Sequence, residues 1–120
     1  MIVFASRTGN VRYIVSKLNL PSVEISNDLT ISEPFIIFTY TDGLGDIPKK
    51  VETFLEQNHT YCKGVIASGN TNFGHNVFCA SADKISEKYG VPIIHKIELR
   101  GFQHDYDLII EKYNKIIKGE

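Results

Sequence analysis

Five short apolar runs alternate with amphipathic helical patterns, and this alternation limits the possible folds more than any other feature of the chain. The runs occupy residues 2–5, 23–25, 35–38, 63–68 (centred on Val65, Ile66 and Ala67) and 93–99. After the first, Val11, Ile14, Val15 and Leu18 recur at i, i+3, i+4 and i+7, one stripe of a helix. Pro48, pre-set for a first helical turn, opens a second helix whose inward stripe is Val51, Phe54 and Leu55. A third carries Phe78, Ala82, Ile85 and Tyr89 on one face, with Cys79 inside it; Gly90 ends it and Pro92 prevents its continuation. The last, expected to be capped by Asp105, keeps Tyr106, Ile109, Ile110, Tyr113, Ile116 and Ile117 in helical register. The polar stretch 27–34 is too short for a long helix.

This pattern predicts an α/β fold: a doubly wound, five-stranded parallel sheet in the order 2-1-3-4-5, with helices on both faces. Residues 1–120 are expected to form a single domain. In a sheet wound this way, ligands bind outside the carboxyl ends of the strands, beside the switch between strands one and three. Three unusual loops fall there, at 6–11, 39–46 and 68–75.

The first loop, Ser6-Arg7-Thr8-Gly9-Asn10-Val11, feeds a helix N-terminus, where outward N–H groups and the helix dipole favour a phosphate. A Walker loop would need Lys followed by Ser or Thr after a second glycine, and a dinucleotide fingerprint needs three spaced glycines. Neither is present. Hydroxyls and amides with Arg7 as the one cation suit a single phosphate ester. The second loop brings Tyr40 and the third brings Phe73, each able to stack on a planar ring. Glycines at 43, 45, 69 and 74 allow close backbone approach, and Asn70 and Asn72 offer hydrogen bonds to a ring edge. The plainer alternatives are an ordinary turn at 6–11, a core role for Phe73, and a Tyr40 that only covers a strand end. Taken together, the loops make flavin mononucleotide (FMN) the expected ligand. Its expected contacts are Ser6, Arg7, Thr8, Gly9, Asn10 and Val11; Thr39, Tyr40, Thr41, Asp42, Gly43 and Leu44; and Ser68, Gly69, Asn70, Asn72, Phe73 and Gly74.

Charge and composition exclude other classes. Thirteen basic and 14 acidic residues are spread along the chain for a net charge of −1, which fits neither nucleic acid nor an anionic membrane as partner. No apolar run approaches the roughly 20 residues that span a bilayer. The first strand starts at the N-terminus without a leader, so the expected location is cytoplasmic. Cys62 and Cys79 have neither redox-pair nor zinc spacing, and the four histidines show no ligand pattern. A phosphoacceptor receiver would need acidic residues where Ser6 and Thr39 stand, and a cysteine phosphatase would need a nucleophilic Cys in the first loop. No residue offers itself as nucleophile or general acid–base, so no catalytic side chain is expected and the chemistry would belong to the bound flavin.

The first loop resembles the FMN phosphate loop of flavodoxins, which usually carry a hydroxyl residue where this chain has Val11. More specific are Gly64-Val65-Ile66-Ala67-Ser68-Gly69-Asn70-Thr71-Asn72-Phe73-Gly74, Tyr89-Gly90-Val91-Pro92 and Glu98-Leu99-Arg100-Gly101. These closely resemble the NrdI proteins, and the likeness covers essentially the whole chain. It implies a flavodoxin-like, FMN-binding redox protein that serves the manganese-containing, radical-bearing small subunit of a class Ib ribonucleotide reductase. The reduced flavin, charged by a separate flavin-reducing protein, would react with dioxygen and supply superoxide to the dimanganese site, where the tyrosyl radical forms. No carboxylate–histidine cluster would hold manganese in this chain itself. A short-chain flavodoxin acting as a general one-electron carrier is the alternative within the redox class, and a flavin-free binding module the alternative outside it. Weak acidity, with Arg7, Lys49, Lys50 and His75 near the loops, predicts two one-electron potentials closer together than in a flavodoxin. The 43–45 segment is expected to shift with flavin redox state.

Overall fold

A computed structural model describes residues 1–43, 45–74 and 76–119. Five strands, β1 (Ile2–Phe4), β2 (Ser22–Glu24), β3 (Phe35–Tyr40), β4 (Cys62–Gly69) and β5 (Ile93–Glu98), form one sheet in the order β2-β1-β3-β4-β5. Every pairing is parallel; Val3 lies opposite Val23 and Ile37, and Ile37 opposite Val65. The helices are α1 (Asn10–Leu18), α2 (Lys49–Asn58), α3 (Ala80–Tyr89) and α4 (Gln103–Tyr113). The chain is therefore the doubly wound sheet that its alternation predicts.

Side-chain direction reverses at each strand residue, so the sheet feeds two cores. Val3, Ala5, Phe35, Ile37, Val65 and Ala67 face α2 and α3, where they meet Val51, Phe54, Leu55, Ala82 and Ile85. Ile2, Phe4, Ile36, Phe38, Ile66, Ile94 and Ile97 face α1 and α4 and meet Val11, Ile14, Val15, Leu18, Tyr106, Ile109 and Tyr113. Phe35 and Phe54 pack edge to face with centroids 5.6 Å apart. The polar connection before β3 is pinned from beneath by buried Asn58. Its Oδ1 accepts the Ile31 N–H at 3.0 Å, and its Nδ2 donates to the Phe54 carbonyl at 3.0 Å.

Three local expectations change. Helix α3 begins at Ala80, not before Phe78: Cys79 sits at its N-cap with φ 51, a left-handed conformation through which a helix cannot run. Asp105 is not the first residue of the cap but lies in the first turn of α4, where its carboxylate accepts the Phe102 N–H at 2.8 Å. The last apolar residues leave the α-helix as well. The chain closes in a π-helical turn, Asn114–Lys118, on which Ile116 is exposed.

Candidate functional site

The carboxyl ends of β1, β3 and β4 open into a cleft of about 530 Å³, within the roughly 300–1,000 Å³ typical of small-molecule sites. Its first wall is the turn before α1. Gly9 caps the helix at φ 93, where a side chain would be strained, and its carbonyl accepts the Tyr13 N–H at 2.9 Å. Ser6, nearly buried, turns its Oγ back to accept the Arg12 N–H at 3.3 Å. Among the described residues, the N–H groups of Thr8, Gly9, Asn10 and Val11 find no acceptor. Four unsatisfied donors at the positive end of a helix form an anion cradle.

The second wall is the loop after β3. Thr41 Oγ1 lies 2.9 Å from Ser81 Oγ, and fully buried Ser81 donates to the Tyr40 carbonyl at 3.1 Å, so the first turn of α3 fixes the loop from below. Asp42 and Asp46 pair through their backbones, with Gly45 at φ 107 between them. A Cβ at Gly45 would stand 2.9 Å from that of Ala80. Arg7 crosses from the first wall to pair with the Asp42 carboxylate, and its guanidinium lies 5.0 Å from the centre of the Tyr40 ring. Burial, followed by the Asp42 charge, raises the Tyr40 pKa against the opposing pull of Arg7, so the phenol stays neutral.

The third wall follows β4. Asn70 Oδ1 accepts the Asn72 N–H at 2.9 Å and tightens a single turn, Thr71–Phe73; Thr71 donates its N–H and hydroxyl to Glu98. Phe73 is 66% exposed, which removes it from the core and leaves its ring at the mouth of the cleft.

Of the residues expected at a ligand, Ser6, Arg7, Thr8, Asn10, Val11, Tyr40, Thr41, Gly43, Ser68, Gly69, Asn70 and Phe73 line this one cleft. Gly9 is the helix cap and is not itself among the lining residues, and Thr39 is fully buried in β3. Asp42 is turned to Arg7, while Asn72 and Gly74 are exposed outside the wall. Leu44 and His75 lie outside the described residues. Lys49 and Lys50 do not line the cleft either: with Asp42 they border a neighbouring depression of about 450 Å³ that shares Tyr40 with it. Among the described residues no group of three or more His, Cys, Asp or Glu could hold a metal ion, and no helix is long and apolar enough to cross a membrane.

Three wall residues were not expected: Val77, Cys79 and Leu99. The Cys79 thiol reaches toward the Ala67 carbonyl (3.3 Å) beneath Gly69, where any Cβ would stand 2.9 Å from its sulfur. Burial pushes this thiol up to about 12. Leu99 belongs to a fourth strand end, after β5, which the same carboxyl-end rule would have identified.

The fold and cleft define a flavodoxin-like α/β domain. Its backbone superposes on a short-chain flavodoxin associated with a non-canonical PDU bacterial microcompartment, with a TM-score of 0.70 and 20% identity over 98% of this chain and 95% of that one. Residues 2–111 match the family model described as NrdI flavodoxin-like. The chain is 43% identical over 117 residues to Protein NrdI of Bacillus licheniformis, covering 97% of this chain and 88% of that one. It belongs to the NrdI family.

Proposed function

We propose that this protein binds FMN in the strand-end cleft and activates a class Ib ribonucleotide reductase. The observation that carries the binding is the cradle of unpartnered N–H groups at Thr8–Val11, facing a cleft whose other walls offer Tyr40 and Phe73. In this reading Thr8, Gly9, Asn10 and Val11 hold the phosphate, with the Thr8 hydroxyl beside their amides. Tyr40 and Phe73 flank the ring, while the close backbone of Gly43, Gly69 and Asn70 meets its edge. FMN, reduced by a separate flavoprotein-reducing partner, would supply electrons to dioxygen, and the superoxide formed would serve the dimanganese site of the reductase small subunit. In this reading the chain's residues bind, orient and shield the flavin, and among the described residues none group to hold a metal ion. The assignment to a reductase partner follows from family membership.

The test is anaerobic reduction of the purified protein, followed by oxygen in the presence of manganese-loaded small subunit. A yellow protein whose reduced form produces tyrosyl radical in the subunit supports the proposal. A yellow protein that produces none but passes electrons singly to acceptor proteins would be a general carrier. No flavin spectrum after added FMN would sink both.

A further inference from the structure

The turn Leu99-Arg100-Gly101 joins two walls of the cleft that are distant in sequence. On one side the Leu99 N–H donates to the Gly69 carbonyl at 2.8 Å, and Ser68 Oγ donates to the Leu99 carbonyl at 2.8 Å. On the other side Arg100 reaches the first turn of α1. Its Nε–H donates to Asn10 Oδ1 at 3.1 Å, and its guanidinium lies 4.5 Å from the centre of the Tyr13 ring. The turn is tightly held from below: the Arg100 carbonyl accepts the Tyr106 hydroxyl at 2.5 Å. Leu99 and Gly101 both adopt positive φ (53 and 65), and a Cβ at Gly101 would stand 2.3 Å from Ile97 Cδ1. Arg100 is thus delivered to Asn10 by a backbone with little room to move.

The consequence lies in the carboxamide of Asn10. One end of an asparagine side chain is an acceptor and the other a double donor. An arginine N–H against Asn10 Oδ1 settles which end is which, because the reversed amide would set donor against donor. Among the described residues the Asn10 Nδ2 group donates to nothing, and Asn10 lines the cleft beside the free N–H groups of the turn. We propose that Arg100 is a positioning residue for the ligand's phosphate: it orients Asn10 so that the carboxamide N–H₂ joins the backbone cradle. The assignment rests on the FMN reading and adds to it a residue outside the cleft wall. Arg100 acts through Asn10, and Tyr13 steadies its guanidinium by a cation–π contact.

The experiment compares FMN with riboflavin, which carries the same ring without the phosphate. The full-length chain is stripped of flavin, and binding of each is followed by flavin fluorescence in the wild type, Arg100→Ala, Asn10→Ala and the double variant. Arg100→Ala is expected to weaken FMN about tenfold, as for loss of a hydrogen bond to a charged group, and to leave riboflavin within about twofold. In the Asn10→Ala background, Arg100→Ala should change FMN affinity by no more than about twofold. The contacts that Leu99 and Arg100 make through their backbones to Ser68, Gly69 and Tyr106 survive the substitution, and thermal unfolding checks that each variant is folded. Equal losses for FMN and riboflavin would overturn the proposal in favour of a structural role. An undiminished loss in the Asn10→Ala background would overturn it in favour of direct contact between Arg100 and the phosphate. If the wild type binds neither flavin, the FMN reading fails first and the assignment with it, a result read before any variant is made.

Discussion

At the residue scale, the cleft contains groups whose ordinary chemistry has been switched off. Cys79 lines the wall, yet burial pushes its thiol up to about 12, so only about one molecule in ten thousand is thiolate at pH 8. The thiolate is the reactive form. Iodoacetamide should therefore leave Cys79 unmodified in the folded protein and label it after denaturation; labelling faster than unfolding would show that the thiol is accessible. Arg7 is muted differently. Its charge was expected to ease formation of a reduced flavin anion, but Asp42 stands against it. Asp42→Asn should release that charge and raise the potential for the second electron. The gain is limited to about 1 kcal/mol, since Arg7 is more than half exposed and screened. A potential that stays put or falls in the variant would count against this. Neither partnership was legible in the sequence. Arg7 and Asp42 stand 35 residues apart, and the carbonyls that hold the Cys79 thiol belong to strands β4 and β5.

At the element scale, the helices and strands follow their apolar spacing, and the departures at the starts of α3 and α4 occur where a side chain is committed elsewhere than to the expected cap. Helix α3 starts late because Cys79 is committed to β4. Helix α4 starts early because Asp105 caps it from within. The Asp105 carboxylate also meets His95 Nε2 at 2.8 Å, bridging α4 to β5. Burial alone would raise its pKa, but the hydrogen bonds from His95 and from the Phe102 N–H, with His104 nearby, outweigh burial and hold it below the usual carboxylate range. A value depressed in the folded state means that the stability Asp105 brings is present above the unfolded value of about 3.9 and is lost as pH falls through the folded value. Asp105→Ala should lower stability near pH 7 by about 1–2 kcal/mol. It should also flatten the dependence of the urea midpoint on pH below about pH 4. Parallel curves for the two proteins would exclude this linkage.

At the scale of the whole molecule, strand order and cleft position could both be read from the sequence, because each depends on where apolar runs stop and glycine-bearing loops begin. The fourth wall was missed because the turn after β5 bears no phosphate or ring signature; its role is to join the others. Ligand binding should be felt globally. FMN at a hundred times its dissociation constant should stabilise the folded chain by about 2.7 kcal/mol, read as a rise in thermal midpoint that inorganic phosphate at equal concentration does not reproduce. The net charge of −1 should keep the two one-electron potentials of the bound flavin close together. A widely separated pair in a spectroelectrochemical titration would show that local groups override it. The double-sided sheet has a further consequence. Successive residues of β1, β3 and β4 belong to opposite cores, so one residue inserted within a strand would exchange the occupants of both at once. Over evolutionary time such a chain can change length only between its strands and helices. The carboxyl-end turns that form the cleft lie among those permitted places, so the part of the molecule most open to remodelling is the part that decides what it holds.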